Sequence, residues 1–148
     1  MTMKEVQEKL VVTLKKWQKI EEEAIASTSE VLSEMGQTIP AAIFKIIQGD
    51  AQNHRRIQEI IIKGHEKEGF NMTVEQLEDL SKVLSRHIEV ETRMIEAANE
   101  SLALIAGKGM VLHEYFLRYL QEDEKKHMDM LRGLENVKKQ FFPYGPSA

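Results

Sequence analysis

The chain has 148 residues, no Cys, three Pro and a formal net charge of −4. That length suits one domain, 1–148, with a core of its own, and the lack of Cys excludes disulfide scaffolds, Cys-ligated metal sites and thiol catalysis. Apolar content of 42% and charged content of 30% exclude wholesale disorder, and the mild acidity speaks against a nucleic-acid partner.

The N-terminus, Met1–Leu10, has no signal-like apolar run, and Ala41–Phe44 and Ile60–Ile62 are far too short to span a membrane. A cytoplasmic protein without a membrane partner is expected. Gly and Pro then mark out an all-α chain, because sustained period-2 alternation is absent. The first helix is predicted from Thr2 to Met35, with Gly36 as its C-cap. Pro40 suits the first turn of a second helix that stops at Gly64. Thr73 and Gln76 have capping-box spacing, so a helix restarts there and continues to about Ala106. After Gly107–Lys108–Gly109 a fourth helix runs from Met110 to Phe141, and the Pro- and Gly-containing tail, 142–148, is irregular.

Each helix carries an apolar stripe in alternating steps of three and four. All four stripes are interrupted mid-helix: by Glu21 and Thr28, by Asp50 and His54, by His87 and Glu91, and by Asp123 and His127. Glu124 flanks the last of these. An unpaired charge in a core costs several kcal/mol in effective terms, so such groups persist where they pair or bind a metal. Residues equidistant from a hairpin turn lie level. Glu21 and His54 are level about a turn near residue 38, and Glu91 and Glu124 about one near residue 108. Asp50 and His127 fall within about one helical turn of those levels. The halves also echo each other: Glu21 aligns with Glu91, and Asp50-x-x-x-His54 with Asp123-x-x-x-His127. Two facing half-sites of this kind make a two-metal cage.

Four helices bearing Glu, a carboxylate–His pair, Glu, then Glu-x-x-His resemble the ferritin-like superfamily, specifically its small rubrerythrin-like members. The most specific match is Glu124 with His127, and the likeness extends from Trp17 to about Phe141. Glu21, or its neighbours Glu22 or Glu23, matches the first-helix Glu, and Glu91 the third-helix Glu. The second helix departs from the pattern: Ala51 stands where Glu-x-x-His needs Glu, and Asp50 is the nearest substitute. That puts full di-iron chemistry in question more than metal binding. Without Cys there is no rubredoxin-type relay, so a redox function needs an external electron donor. The resemblance implies a ferritin-like four-helix bundle with a crossover between the second and third helices. A third helix starting at Thr73 leaves about nine residues for that crossover, a reach of about 30 Å. A separate short helix over Thr73–Ser81, or a kink near Ser81, is therefore expected; an unbroken third helix would instead imply an up-down-up-down bundle.

Mixed carboxylate and imidazole donors suit iron first, with manganese or zinc as alternatives, and bridging Glu side chains hold two ions about 3.5–4 Å apart. The expected function is metal binding with peroxide or O2 reduction, or ferrous oxidation, in a homodimer. The competing reading is a metal-free bundle acting in protein interaction, its buried polar groups fixing register. His87 is open as a ligand, a partner of a ligand or a proton relay. Tyr115 and Tyr119 lie near the fourth-helix site but read first as packing residues. A hemerythrin-like site lacks its His-x-x-x-His element, and His65-Glu66 and His113-Glu114 lack the second His of a zinc-protease motif. Lys15–Lys16 and Arg55–Arg56 are balanced by nearby Glu and read as solvated faces. Phe141, Phe142 and Tyr144 suit an end cap or a dimer contact equally.

Overall fold

In the computed structural model, residues 1–65 and 72–137 are described, and among them every regular element is a helix. Helix α1 spans Met3–Met35, α2 Ile39–Lys63, α3 Val74–Ile105 and α4 Val111–Val137. The tail at 142–148, and with it Phe141, Phe142 and Tyr144, lies outside the described residues. Helix α1 packs on α2 and α3 packs on α4, and the chain divides into two compact units along that line. Each unit is an antiparallel helical hairpin.

The helix starts follow from local chemistry. Thr2 Oγ1 accepts the Glu5 N–H while Glu5 accepts the Thr2 N–H, which satisfies two of the helix's free donors reciprocally. Thr73 and Gln76 repeat this box at α3. Thr38 caps α2 through the Ala41 N–H, with Pro40 in the first turn. The turns rely on glycine: Gly36 has φ +62° and Gly107 and Gly109 both have φ +71°, where a Cβ would clash with its own backbone.

One expectation is corrected here. No separate crossover helix forms over Thr73–Ser81, because α3 continues unbroken from Val74 through Ser81 to Ile105. The reason is local. The capping box starts the helix at Val74, and Leu77 and Leu84 are both buried along one line with Glu91, so nothing between them favours a break.

That line is a heptad. The buried residues of α1 are Leu14, Glu21 and Thr28, and those of α3 are Leu77, Leu84, Glu91 and Ala98. A seven-residue spacing keeps one narrow seam against a single partner helix. In α2 the inward residues are Ala41, Gln48, Ala51, Gln58 and Ile62. In α4 Met128 is the buried apolar residue, one position off the predicted stripe. Burying a Leu or Ile on this seam stabilises by about 1.5–3 kcal/mol. The other half of each predicted stripe stays open: Trp17 is 50% and Met130 60% exposed. Gln48 satisfies itself by donating to Ser29 Oγ at 2.7 Å and to the Ile25 carbonyl, whereas Gln58 Oε1 is buried without a partner.

Candidate metal centre

The second hairpin brings together Glu91 from α3 and Glu124 and His127 from α4. One donor atom from each lies within 4.8 Å of the others, and this is the one such trio among the described residues. Glu91 sits on the α3 seam at 3% exposure, held there by the same heptad that buries Leu84 and Ala98. Its Oε1 faces His127 Nδ1 at 3.6 Å and His87 Nε2 at 3.3 Å. Its Oε2 is buried with no hydrogen-bond partner; Glu124 Oε2 is also buried without a hydrogen bond and lies 3.5 Å from His127 Nδ1. A buried carboxylate oxygen left unpaired costs about 1–3 kcal/mol or more.

The electrostatics point the same way. The carboxyl of Glu124 is pushed above the usual carboxylate range, first by its hydrogen bond to Glu91, then by burial and by the charge of Glu91; His127 opposes the shift. Two carboxylates this close hold a proton between them, or a cation. His127 places one ring nitrogen on each side of this cluster. Its Nδ1 faces Glu91 and Glu124, the latter at 3.5 Å, while its Nε2 faces Asp123 Oδ2 at 3.5 Å. Asp123 is also paired with Lys126 at 2.8 Å. Asp123 thus lies outside the converging trio, on the side of the ring's other nitrogen. A cavity of about 340 Å³ opens beside the trio, lined by His87, Glu91, His127, Met130 and Leu131.

The first hairpin places its residues differently. Glu21, 8% exposed, meets His54 Nδ1 at 3.2 Å. Asp50 does not converge with them to within 4.8 Å. The inward position on that turn belongs to Ala51, which is buried, and the short Asp side chain one residue earlier does not replace it. Glu22 pairs with Arg55 instead, which leaves Glu21 as the inward acid of the Glu21–Glu22–Glu23 run. Gln18 donates to Glu59 at 2.8 Å on the same flank.

Of the other sequence candidates, His65 and His113 are exposed. Tyr115 is exposed and meets Phe116 edge-on at 5.5 Å. Sequence reasoning missed the buried Gln48 and Gln58; their signal is the seven-residue spacing of 41 to 48 and of 51 to 58 along α2.

No helix among the described residues is long and apolar enough to cross a membrane. Comparison of the chain with family models, curated proteins and solved structures finds no match.

Proposed function

We propose that this chain is a ferritin-like helical metal protein whose principal site is Glu91, Glu124 and His127. The observation that carries the reading is Glu91: a carboxylate at 3% exposure with an unpartnered oxygen, beside a second carboxylate and an imidazole. The donor set fits iron, with manganese or zinc as alternatives, because imidazole beside carboxylate disfavours calcium and magnesium. A bound redox ion would supply single-electron exchange with O2 or peroxide, or ferrous ion would itself be the substrate. The chain's residues do the rest. Glu91 and Glu124 supply negative charge, His127 presents Nδ1, and Asp123 holds the opposite ring nitrogen. His87 is the fourth donor or the group that orients Glu91 Oε1. The cavity at Met130 and Leu131 leaves one side open for a small oxidant, and reducing equivalents come from an external donor. Glu21 and His54 are the poorer donor set of the first hairpin, since Ala51 stands where a second carboxylate would be.

A second reading is favoured by that same first hairpin. Glu21 and His54 close on each other as a hydrogen-bonded pair, which is what a metal-free bundle uses to fix register.

Metal analysis of tag-free protein, with titration of Mn2+ and Fe2+ into the chelated form, separates the two. We expect about one tightly held ion per chain. Glu91→Ala and His127→Ala should each weaken binding by 100-fold or more, and EDTA should lower the melting temperature. Protein that takes up no ion, and whose stability His127→Leu leaves unchanged or raises, would falsify the metal reading.

A further inference from the structure

The cavity beside Glu91, Glu124 and His127 has one wall residue with redox chemistry of its own. Met130 stands three residues after His127 on α4, so the two share a helix face. Both line the cavity, together with His87 and Glu91. Of the chain's eight methionines, Met130 is the one in that wall. Its thioether is open to solvent, whereas Met128, two residues earlier, is buried. The first hairpin offers a contrast. The alignment that sets His54 against His127 sets Ile57 against Met130. Ile57 is about half exposed as well, but its side chain has no sulfur to oxidise.

A thioether sulfur is soft and polarisable, and its first oxidation step takes it to the sulfoxide. The cavity is the open side by which a small oxidant reaches Glu91, a carboxylate that is buried and has an unpartnered oxygen. An oxidant held at the carboxylate–imidazole cluster is therefore held against the wall that carries Met130. Holding two reactants together raises their rate beyond what solvent exposure alone gives.

We infer that Met130 is the oxidation target of this site, converted to its sulfoxide by hydrogen peroxide held at the ion-loaded cluster; the inference rests on the metal reading proposed above. The Met130 sulfur gives a lone pair to one peroxide oxygen and forms the S–O bond. The O–O bond breaks, and the other oxygen leaves with both protons as water. Sulfur is oxidised by two electrons and peroxide reduced by two, so no further reductant is consumed. The sulfoxide oxygen places a polar acceptor where the cavity had an apolar wall next to His127. Methionine sulfoxide is reducible, so the change is reversible. Met130 thus registers peroxide at the site and resets the polarity of its entrance.

The test compares tag-free protein loaded with Fe2+ and desalted with the chelated form. Each receives one equivalent of H2O2 with a hydroxyl-radical scavenger present, and bound iron is measured on the same samples. Trypsin cuts after Lys126 and Arg132, so one peptide, 127–132, carries His127, Met128 and Met130, and its fragment masses place the added oxygen. In the chelated form oxidation should follow exposure, with Met1 and Met3, at 80% and 72%, ahead of Met130 at 60%. In the loaded form Met130 should lead both by about tenfold or more, with Met128 unmodified. Glu124→Ala, which leaves the lining of the cavity intact, should bind less iron and remove that lead. Bound iron with Met130 still behind Met1 and Met3 overturns the inference and leaves the metal reading standing. An equal Met130 lead in chelated protein, or oxidation of Met128 alongside Met130, overturns it as well. Protein that takes up no iron sinks the metal reading, and this inference with it.

Discussion

In the first hairpin Glu21 meets one imidazole, that of His54; in the second Glu91 meets two, His87 and His127, and stands beside a second carboxylate, Glu124. The scaffold around them repeats. Leu14, Glu21 and Thr28 on α1 match Leu84, Glu91 and Ala98 on α3, and His54 and His127 enter from the facing helix. The difference is concentrated at two places, Ala51 against Glu124 and Trp17 against His87. One acid facing one imidazole satisfies itself with a single hydrogen bond. A second acid on the same turn leaves excess negative charge that a proton or a cation must neutralise. The same backbone therefore reads as a structural pair in one hairpin and as a candidate metal site in the other.

The sharpest way to break this comparison is Ala51→Glu, which writes Glu-x-x-His into the first hairpin. Position 51 is buried, so the new carboxylate enters a tight seam without a cation to balance it. We expect the chelated protein to lose about 3 kcal/mol or more at neutral pH, from uncompensated charge and overpacking. Mn2+ should return much of that loss and add about one bound ion per chain. A folded variant with no added ion uptake would show that the geometry of the first hairpin, rather than the missing acid, prevents binding.

The reverse change is Glu124→Gln, which makes the second hairpin resemble the first. Because the folded-state pKa of Glu124 is raised, the native state holds its proton more tightly than the unfolded chain does. The stability this group contributes is complete below the ordinary carboxylate pKa and is lost as pH rises through the raised value. Chelated wild-type protein should therefore lose stability on going from acid toward neutral pH. Glu124→Gln should flatten that decline, exceed the chelated wild type in stability at pH 7, and lose most of its ion affinity. Denaturant melts at a series of pH values read this directly; a wild type whose stability rises over that window would remove the carboxylate pair from the account.

How much of this was legible in the sequence depended on the range of the signal. Thr2 with Glu5 and Thr73 with Gln76 announce two helix starts, because a capping box is contained in four residues. Equal distance from a turn places Glu21 beside His54, because antiparallel helices rise at a common rate. Spacing alone does not say whether position 50 or 51 points further inward; Ala51 is the buried one and Asp50 is half-buried, outside the converging trio. The crossover expected at Thr73–Ser81 came from a family likeness, with no local break to support it, and the heptad of Leu77 and Leu84 overrides it. The alternating stripes named both apolar columns of each helix. They did not say that one packs on the partner helix while the other, with Trp17 and Met130, stays open.

The smallest expected effect lies at the second helix of each hairpin. Helix α2 begins with Thr38, whose hydroxyl accepts the Ala41 N–H. Helix α4 begins after Met110, whose carbonyl accepts the Glu114 N–H and whose side chain offers no acceptor oxygen to the free amides of the first turn. Thr38→Ala should therefore cost about 1 kcal/mol, while Met110→Asp should gain a similar amount, helped by a negative charge at the positive end of the helix dipole. In a chain of this size each corresponds to about 3 °C in melting temperature. If Met110→Asp is instead destabilising at unchanged helicity, the partly exposed Met110 side chain contributes more through its apolar contacts than an N-cap returns.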